Sequence, residues 1–146
     1  MTTKELVQPL KNLLADSYIL MLKTQNYHWN VTGIHFHTLH AMFQTQYEDL
    51  FEAVDEVAER LRAIGVKAPG TFKEFQSLSE IDSEEIKTDS KDMLISLKND
   101  HMKLAATAEK LIEAAQTVKD DPSMDLAIER LQTHQKHIWM LSSSLE

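Results

Sequence analysis

The chain of 146 residues contains no cysteine, so it forms no disulfide and offers no thiolate to a metal. Glycine and proline are scarce, with three of each. Few points therefore force a helix to stop, which suits an all-helical protein. No apolar run approaches the roughly 18 residues of a membrane span, so no membrane-crossing helix is expected. The opening Met-Thr-Thr-Lys-Glu lacks the basic-then-apolar layout of a signal peptide, and a soluble cytoplasmic protein is the expectation. Positive charge is also thin: 15 Lys and Arg stand against 23 Asp and Glu, for a net charge of −8. Nucleic-acid binders draw much of their affinity from Lys and Arg on phosphates. Here the first 15 residues hold only Lys4 and Lys11, and the chain closes with Ser-Ser-Ser-Leu-Glu. DNA binding is expected to be weak or absent, and association with the nucleoid is not favoured. The acidic balance suits cation handling, although acidic surfaces also serve solubility.

What is present is a helical apolar rhythm over one domain, residues 1–146, long enough for a proper core. The first helix is expected over residues 3–31, with Leu6, Leu10, Leu13, Leu14, Tyr18, Met21 and Leu22 as its apolar stripe. Pro9 is awkward there, and is read as first turn with extended residues before it. Gly33 turns the chain, and His35 and His37 fall in a surface loop over residues 32–38. From Leu39 to Ile64 there is no Gly or Pro, and the spacing predicts one long helix over residues 40–64. Gly65 and Pro69-Gly70 end it. A long connection over residues 66–85 follows, with a short helix around Phe72, Phe75 and Leu78. The third long helix begins between Asp82 and Thr88 and runs to about Lys119, with Met93, Leu97, Leu104, Ala108, Leu111 and Ala115 facing in. His101 is read as a surface polar residue or a subunit contact. Ser123 is read as the cap of the fourth helix, with Asp125 in its first turn and with Leu131, Ile138, Trp139 and Leu145 on its core face. His134 and His137 are read as interface or core hydrogen-bonders, because no carboxylate sits at helical spacing to complete a ligand set. Four long helices with one long crossover describe a ferritin-like bundle.

The chemistry concentrates in Tyr27-His28-Trp29-Asn30-Val31-Thr32-Gly33 and the helix behind it. His28 and His40 flank the turn, and Asp55 and Glu59 follow at i,i+4 spacing. Taken separately, the carboxylates read as solvated charges and the histidines as hydrogen-bonded core groups. Taken together, imidazole and carboxylate make a ligand set for iron, zinc or manganese. Yet His40 and Asp55 on one helix lie roughly 22 Å apart along its axis, whereas ligands of one ion lie about 2.0–2.2 Å from it. One chain cannot bring all four together. Two copies of the helix, antiparallel across a two-fold axis level with Asp49 and Leu50, can do so. His40 then meets Glu59 of the partner and position 44 meets Asp55, generating two identical sites. A within-chain ferritin centre is disfavoured, because that bundle needs Glu-x-x-His pairs and the sequence has none.

The run Tyr27-His28-Trp29-Asn30-Val31-x-Gly33, then Leu39-His40, then Asp55-x-x-Ala58-Glu59-Arg60, resembles the Dps family of mini-ferritins. The likeness is dense over residues 17–65 and looser to residue 141. It implies an all-α subunit with a short extra helix in the long connection, assembled as a hollow dodecamer. It implies ferroxidase activity: Fe(II) oxidised by hydrogen peroxide or oxygen at intersubunit sites, with ferric mineral stored inside. It places metal ligands at His28, His40, Asp55 and Glu59, with Trp29 close to the iron. It also places an Asp one turn after the second histidine, where this chain has Gln44. Acidic residues at Asp121, Asp125 and Glu129 are expected to line entry pores, against the plainer reading that they complement the helix dipole. Three functions compete: an iron-oxidising, iron-storing shell, a DNA-coating protein, and a shell holding zinc or manganese structurally. The missing basic arm counts against the second, and Gln44 keeps the third open.

Overall fold

A computed structural model of the chain describes residues 3–146. The described residues form four long helices and one short one: α1 (Lys4–Asn30), α2 (Phe36–Ala63), α3 (Phe72–Leu78), α4 (Ser90–Val118) and α5 (Asp121–Ser143). Helix α1 packs along α2, α4 along α5, and α1 also against α4 and α3. Short links join each hairpin, and the crossover from α2 to α4 carries α3, as the length of that segment demanded.

Side-chain chemistry explains where each element starts. Thr71 and Glu74 form a capping box at α3: the Glu74 amide donates to the Thr71 hydroxyl, which donates back to the Glu74 carboxylate. Asp89 caps α4. At α5 the cap is Asp120 and not Ser123: its carboxylate accepts from the Ser123 amide, and Ser123 is buried in the first turn. Arg60 at the end of α2 donates to both Asp120 oxygens and to Ser123, so the same carboxylate ties α2 to α5. Lys119 closes α4 in the left-handed conformation, with φ 58°.

Three boundaries differ from the sequence expectation. Pro9 lies inside α1, which already begins at Lys4. The ring removes one backbone bond, but Leu6, Leu10 and Leu13 are fully buried and hold the turn. Each such side chain contributes about 1.5–3 kcal/mol on burial. Helix α2 starts at Phe36, so His37 belongs to its first turn and the connecting loop is only residues 31–35. Helix α4 starts at Ser90, later than any of the expected starts.

The inner faces bring the larger correction. Leu22 on α1 is 51% exposed, and Trp139 on α5 is 64% exposed. The buried face of α5 is Ser123, Ala127, Arg130, His134, His137 and Leu141. His101 is fully buried on α4, not at the surface. Polar side chains therefore enter a core that otherwise holds an apolar cluster around Phe43, Leu97 and Leu141 and another around Leu10, Leu61 and Leu111. In it Arg130 donates to both oxygens of Asp49 on α2, at 3.0 and 2.9 Å. His101 and His134 face each other Nδ1 to Nδ1 at 3.0 Å. Nearby, Lys23 on α1 pairs with Asp100 on α4 at 2.7 Å, both almost wholly buried.

Burial raises the Asp100 pKa while Lys23 pulls it down. Removing one partner of such a pair leaves an uncompensated charge. Lys23→Met should cost about 3–5 kcal/mol in chemical denaturation, and Lys23→Met/Asp100→Leu should recover most of it. A single substitution costing less than about 1 kcal/mol contradicts the pairing.

The histidines set an acid limit. Burial holds His101 and His134 well below the ordinary 6.5, with neighbouring positive charge adding to it. His137 is pushed down to about 4, chiefly by burial, with Asp49 opposing and Arg130 and Lys136 assisting. In the unfolded chain all three protonate near 6.5, so below that pH the unfolded state binds more protons. Their contribution is complete above about pH 6.5 and is lost as pH falls toward about 4. The denaturation midpoint should decline across this window, and His101→Leu should flatten the decline. A decline confined below about pH 4.5, where carboxylates titrate, contradicts the assignment.

Candidate metal centre

His28 ends α1 and His40 lies in the second turn of α2, with the residues 31–35 turn between them. Gly33 takes φ 110° in that turn, a conformation that penalises any side chain. The tight reversal sets the two imidazoles face to face, ring centroids 3.7 Å apart and 11° from parallel. Each ring is bonded to the other residue's backbone: His28 Nδ1 lies 2.6 Å from the His40 carbonyl, and His40 Nδ1 lies 2.6 Å from the His28 carbonyl. A carbonyl only accepts, so both Nδ1 atoms carry the hydrogen and donate. In the neutral imidazole this tautomer leaves Nε2 with a lone pair, the form a metal needs. Phe36 stacks on the His40 ring and the Tyr47 edge meets His28, so neither imidazole is free to swing. His28 is buried and His40 half-buried.

Asp55 and Glu59 stand on the exposed face of the same helix. A hydrogen bond between their carboxyls is the main reason the Glu59 pKa is raised, with mutual repulsion next. Two carboxylates this close hold a proton or a cation. They lie near the far end of α2 from the histidines. One protomer thus carries two half-sets: an imidazole pair at one end and a carboxylate pair at the other.

Gln44 is exposed one turn beyond His40, and its amide nitrogen donates to Glu48 at 2.8 Å. Trp29 is 60% exposed beside His28. It shares a cleft with Leu22, Phe72, Phe75 and Ile86. Asp121, Asp125 and Glu129 are exposed in the first turns of α5. His35 and His37 are exposed.

Sequence reasoning allowed His134 and His137 a place in the core but put His101 at the surface, and so missed the buried group that the three form. The signal was available as spacing. His101 falls in register between Leu97 and Leu104, and Ala127, Arg130, His134, His137 and Leu141 repeat every three or four residues.

A family described as a ferritin-like domain matches residues 7–146. DNA protection during starvation protein 2 of Bacillus anthracis is 32% identical over 142 residues, covering 97% of this chain and 97% of the relative. The DNA protection during starvation protein of Helicobacter pylori is 33% identical over 138 residues, covering 93% and 95%. Dps from Staphylococcus aureus superposes with a TM-score of 0.95 at 30% identity, over 99% of this chain and 97% of that one. The Vibrio cholerae Dps structure, described as a member of the ferritin-like diiron-carboxylate superfamily, matches with a TM-score of 0.93 at 27% identity, covering 98% of this chain and 90% of that one. A ferritin-like bundle matched nearly end to end, with DNA protection during starvation proteins as its relatives, places this chain in the Dps family of ferritin-like proteins.

Proposed function

We propose that the chain is an iron-oxidising, iron-storing subunit whose metal centres form only between protomers. The observation that carries this reading is the reciprocal lock of His28 and His40, which presents two Nε2 lone pairs at one end of α2 while the carboxylates occupy the other. A partner α2 laid antiparallel across a two-fold axis brings its Asp55 and Glu59 to these histidines. Asp49 and Leu50 mark the level of that axis, but Leu50 faces inward and Asp49 is held by Arg130. The side chains presented at that level are Glu48, Phe51 and Glu52, with Phe51 66% exposed. An apolar ring flanked by acids is a suitable centre for an interface.

Ferrous iron is the substrate. Two imidazoles and two carboxylates bind it and leave coordination positions open to an oxidant. Hydrogen peroxide accepts two electrons, so two Fe(II) become two Fe(III) while the O–O bond breaks to give two hydroxides. Oxygen is the alternative oxidant. Both Fenton reactants are consumed, which protects the cell, and the ferric product is stored within a closed dodecamer. Trp29, beside His28, is placed to receive a stray oxidising equivalent. Asp121, Asp125 and Glu129 offer an acidic lining for iron entry, since carboxylate rings attract cations. A second reading, a zinc or manganese site of structural use, rests on the same ligand set. A solved structure of Dps from Listeria innocua, 30% identical, is of the protein soaked with zinc.

Sharing makes complementation the test. His40→Ala and Asp55→Ala shells should each lose peroxide-dependent oxidation. In a mixed dimer both lesions fall in one site and the other site is intact. Half of randomly formed dimers are mixed, so co-assembled shells should recover about a quarter of the activity. A mixture as inactive as its parents refutes the sharing.

Gln44 sets the iron stoichiometry. It offers one neutral oxygen where a carboxylate would add charge, and its amide is already engaged by Glu48. Hard cations prefer charged oxygen donors. Anaerobic Fe(II) titration should show one tight ion per site, and Gln44→Asp should add a second and speed the first phase of oxidation. Two ions of similar affinity in the unmodified protein contradict this.

A further inference from the structure

We propose that His101, His134 and His137 form a second metal site, inside a single bundle, for a late first-row divalent ion of which zinc is the type. One ring nitrogen from each lies within 4.8 Å of those of the other two, and all three residues are buried. The His101 and His134 Nδ1 atoms are already 3.0 Å apart. Zinc with nitrogen at about 2.0–2.1 Å places tetrahedral ligands roughly 3.3 Å from one another. Two of the three donors are thus near their final spacing. His137, the least enclosed, supplies the remaining adjustment.

The group is incompletely satisfied as it stands. His137 Nδ1 is buried with no hydrogen-bond partner. Buried polar atoms without partners cost free energy and call for an explanation. Gln46, wholly buried on α2, also leaves both side-chain polar atoms without partners. It shares with His137 the wall of a cleft of about 520 Å³ that Met42, Asp49 and Met140 also line. The cleft is an entry path ending at His137, and the Gln46 carboxamide oxygen is a fourth donor there.

Charge permits occupancy. Burial keeps the imidazoles unprotonated at neutral pH, so binding expels no protons from them. Arg130, the nearby cation, is matched by the Asp49 carboxylate through two hydrogen bonds. Its contact with His134 Nε2 is the longer one, 3.3 Å, and is the one released when His134 Nδ1 turns to the ion. The donor set differs from that of the interface site, having imidazoles and one amide but no carboxylate. Such a set favours zinc and its neighbours late in the series over hard oxygen-seeking cations. An ion there joins α4 to α5 within one subunit, and so stabilises the bundle whether or not the interface sites are filled.

Cobalt(II) is the probe, in assembled shells with Asp55→Ala and Glu59→Ala to weaken the interface sites. One ion per chain should bind with the intense visible bands of low-coordinate cobalt, and zinc should displace it. His101→Leu and His137→Leu, apolar replacements suited to a buried position, should each abolish the bands while circular dichroism and shell size are unchanged. X-ray absorption of the zinc-loaded protein without the leucine changes should show three imidazole ligands, and this readout does not depend on how those variants fold. Absence of the bands, their persistence in His101→Leu, or fewer than three imidazoles around zinc overturns the proposal.

Discussion

The rigidity of one helix governs the site. Helix α2 runs unbroken for 28 residues, and an α-helix advances 1.5 Å per residue. The imidazole end and the carboxylate end therefore stay some 20 Å apart whatever the side chains do. No rotamer change closes that gap. On the function proposed above, each end of the helix carries half of a centre, and a second copy in reverse direction supplies the complement. The bundle keeps α2 straight: Phe43, Leu50, Val57 and Leu61 are fully buried along one face. Arg60 anchors the far end to the start of α5 through Asp120. The opposite face is left for Gln44, Glu48, Phe51, Asp55 and Glu59.

The near end owes its order to hydrogen bonding between backbone and side chain. A metal-binding histidine needs its other nitrogen engaged so that the correct tautomer faces the ion. His28 and His40 each place Nδ1 on the other's carbonyl, within reach because the α1–α2 turn is short, and so would present Nε2 to the proposed ion. Losing either ring would remove the stacking on the other but not its hydrogen bond, because the acceptor is a backbone carbonyl. The carboxylate end is looser, exposed and held by mutual contact, which suits a half-site completed by a partner.

Much of this was legible in the sequence, and the failures have physical causes. The helix count, the short α3 and the two half-sets followed from apolar periodicity and from the absence of Gly and Pro over residues 39–64. The ends of helices were less legible, because caps depend on tertiary partners. Asp120 displaced Ser123 as a cap once Arg60 reached it. The inner face of α5 was misread because Trp139 and Ile138 are more hydrophobic than Arg130, His134 and His137. Periodicity favoured the polar set, and the Asp49 carboxylate made Arg130 tolerable inside. The stacking of His28 on His40 could not be read from residue types, since it rests on backbone carbonyls that every residue possesses.

The claim that half-sets meet between protomers is tested most directly by iron-edge anomalous diffraction from crystals of the assembled protein, soaked in Fe(II) without oxidant. The account predicts peaks on the subunit interface, each bounded by His28 and His40 of one protomer and by Asp55 and Glu59 of the partner subunit. Iron held by one protomer's carboxylates alone, with no imidazole in contact, would contradict it.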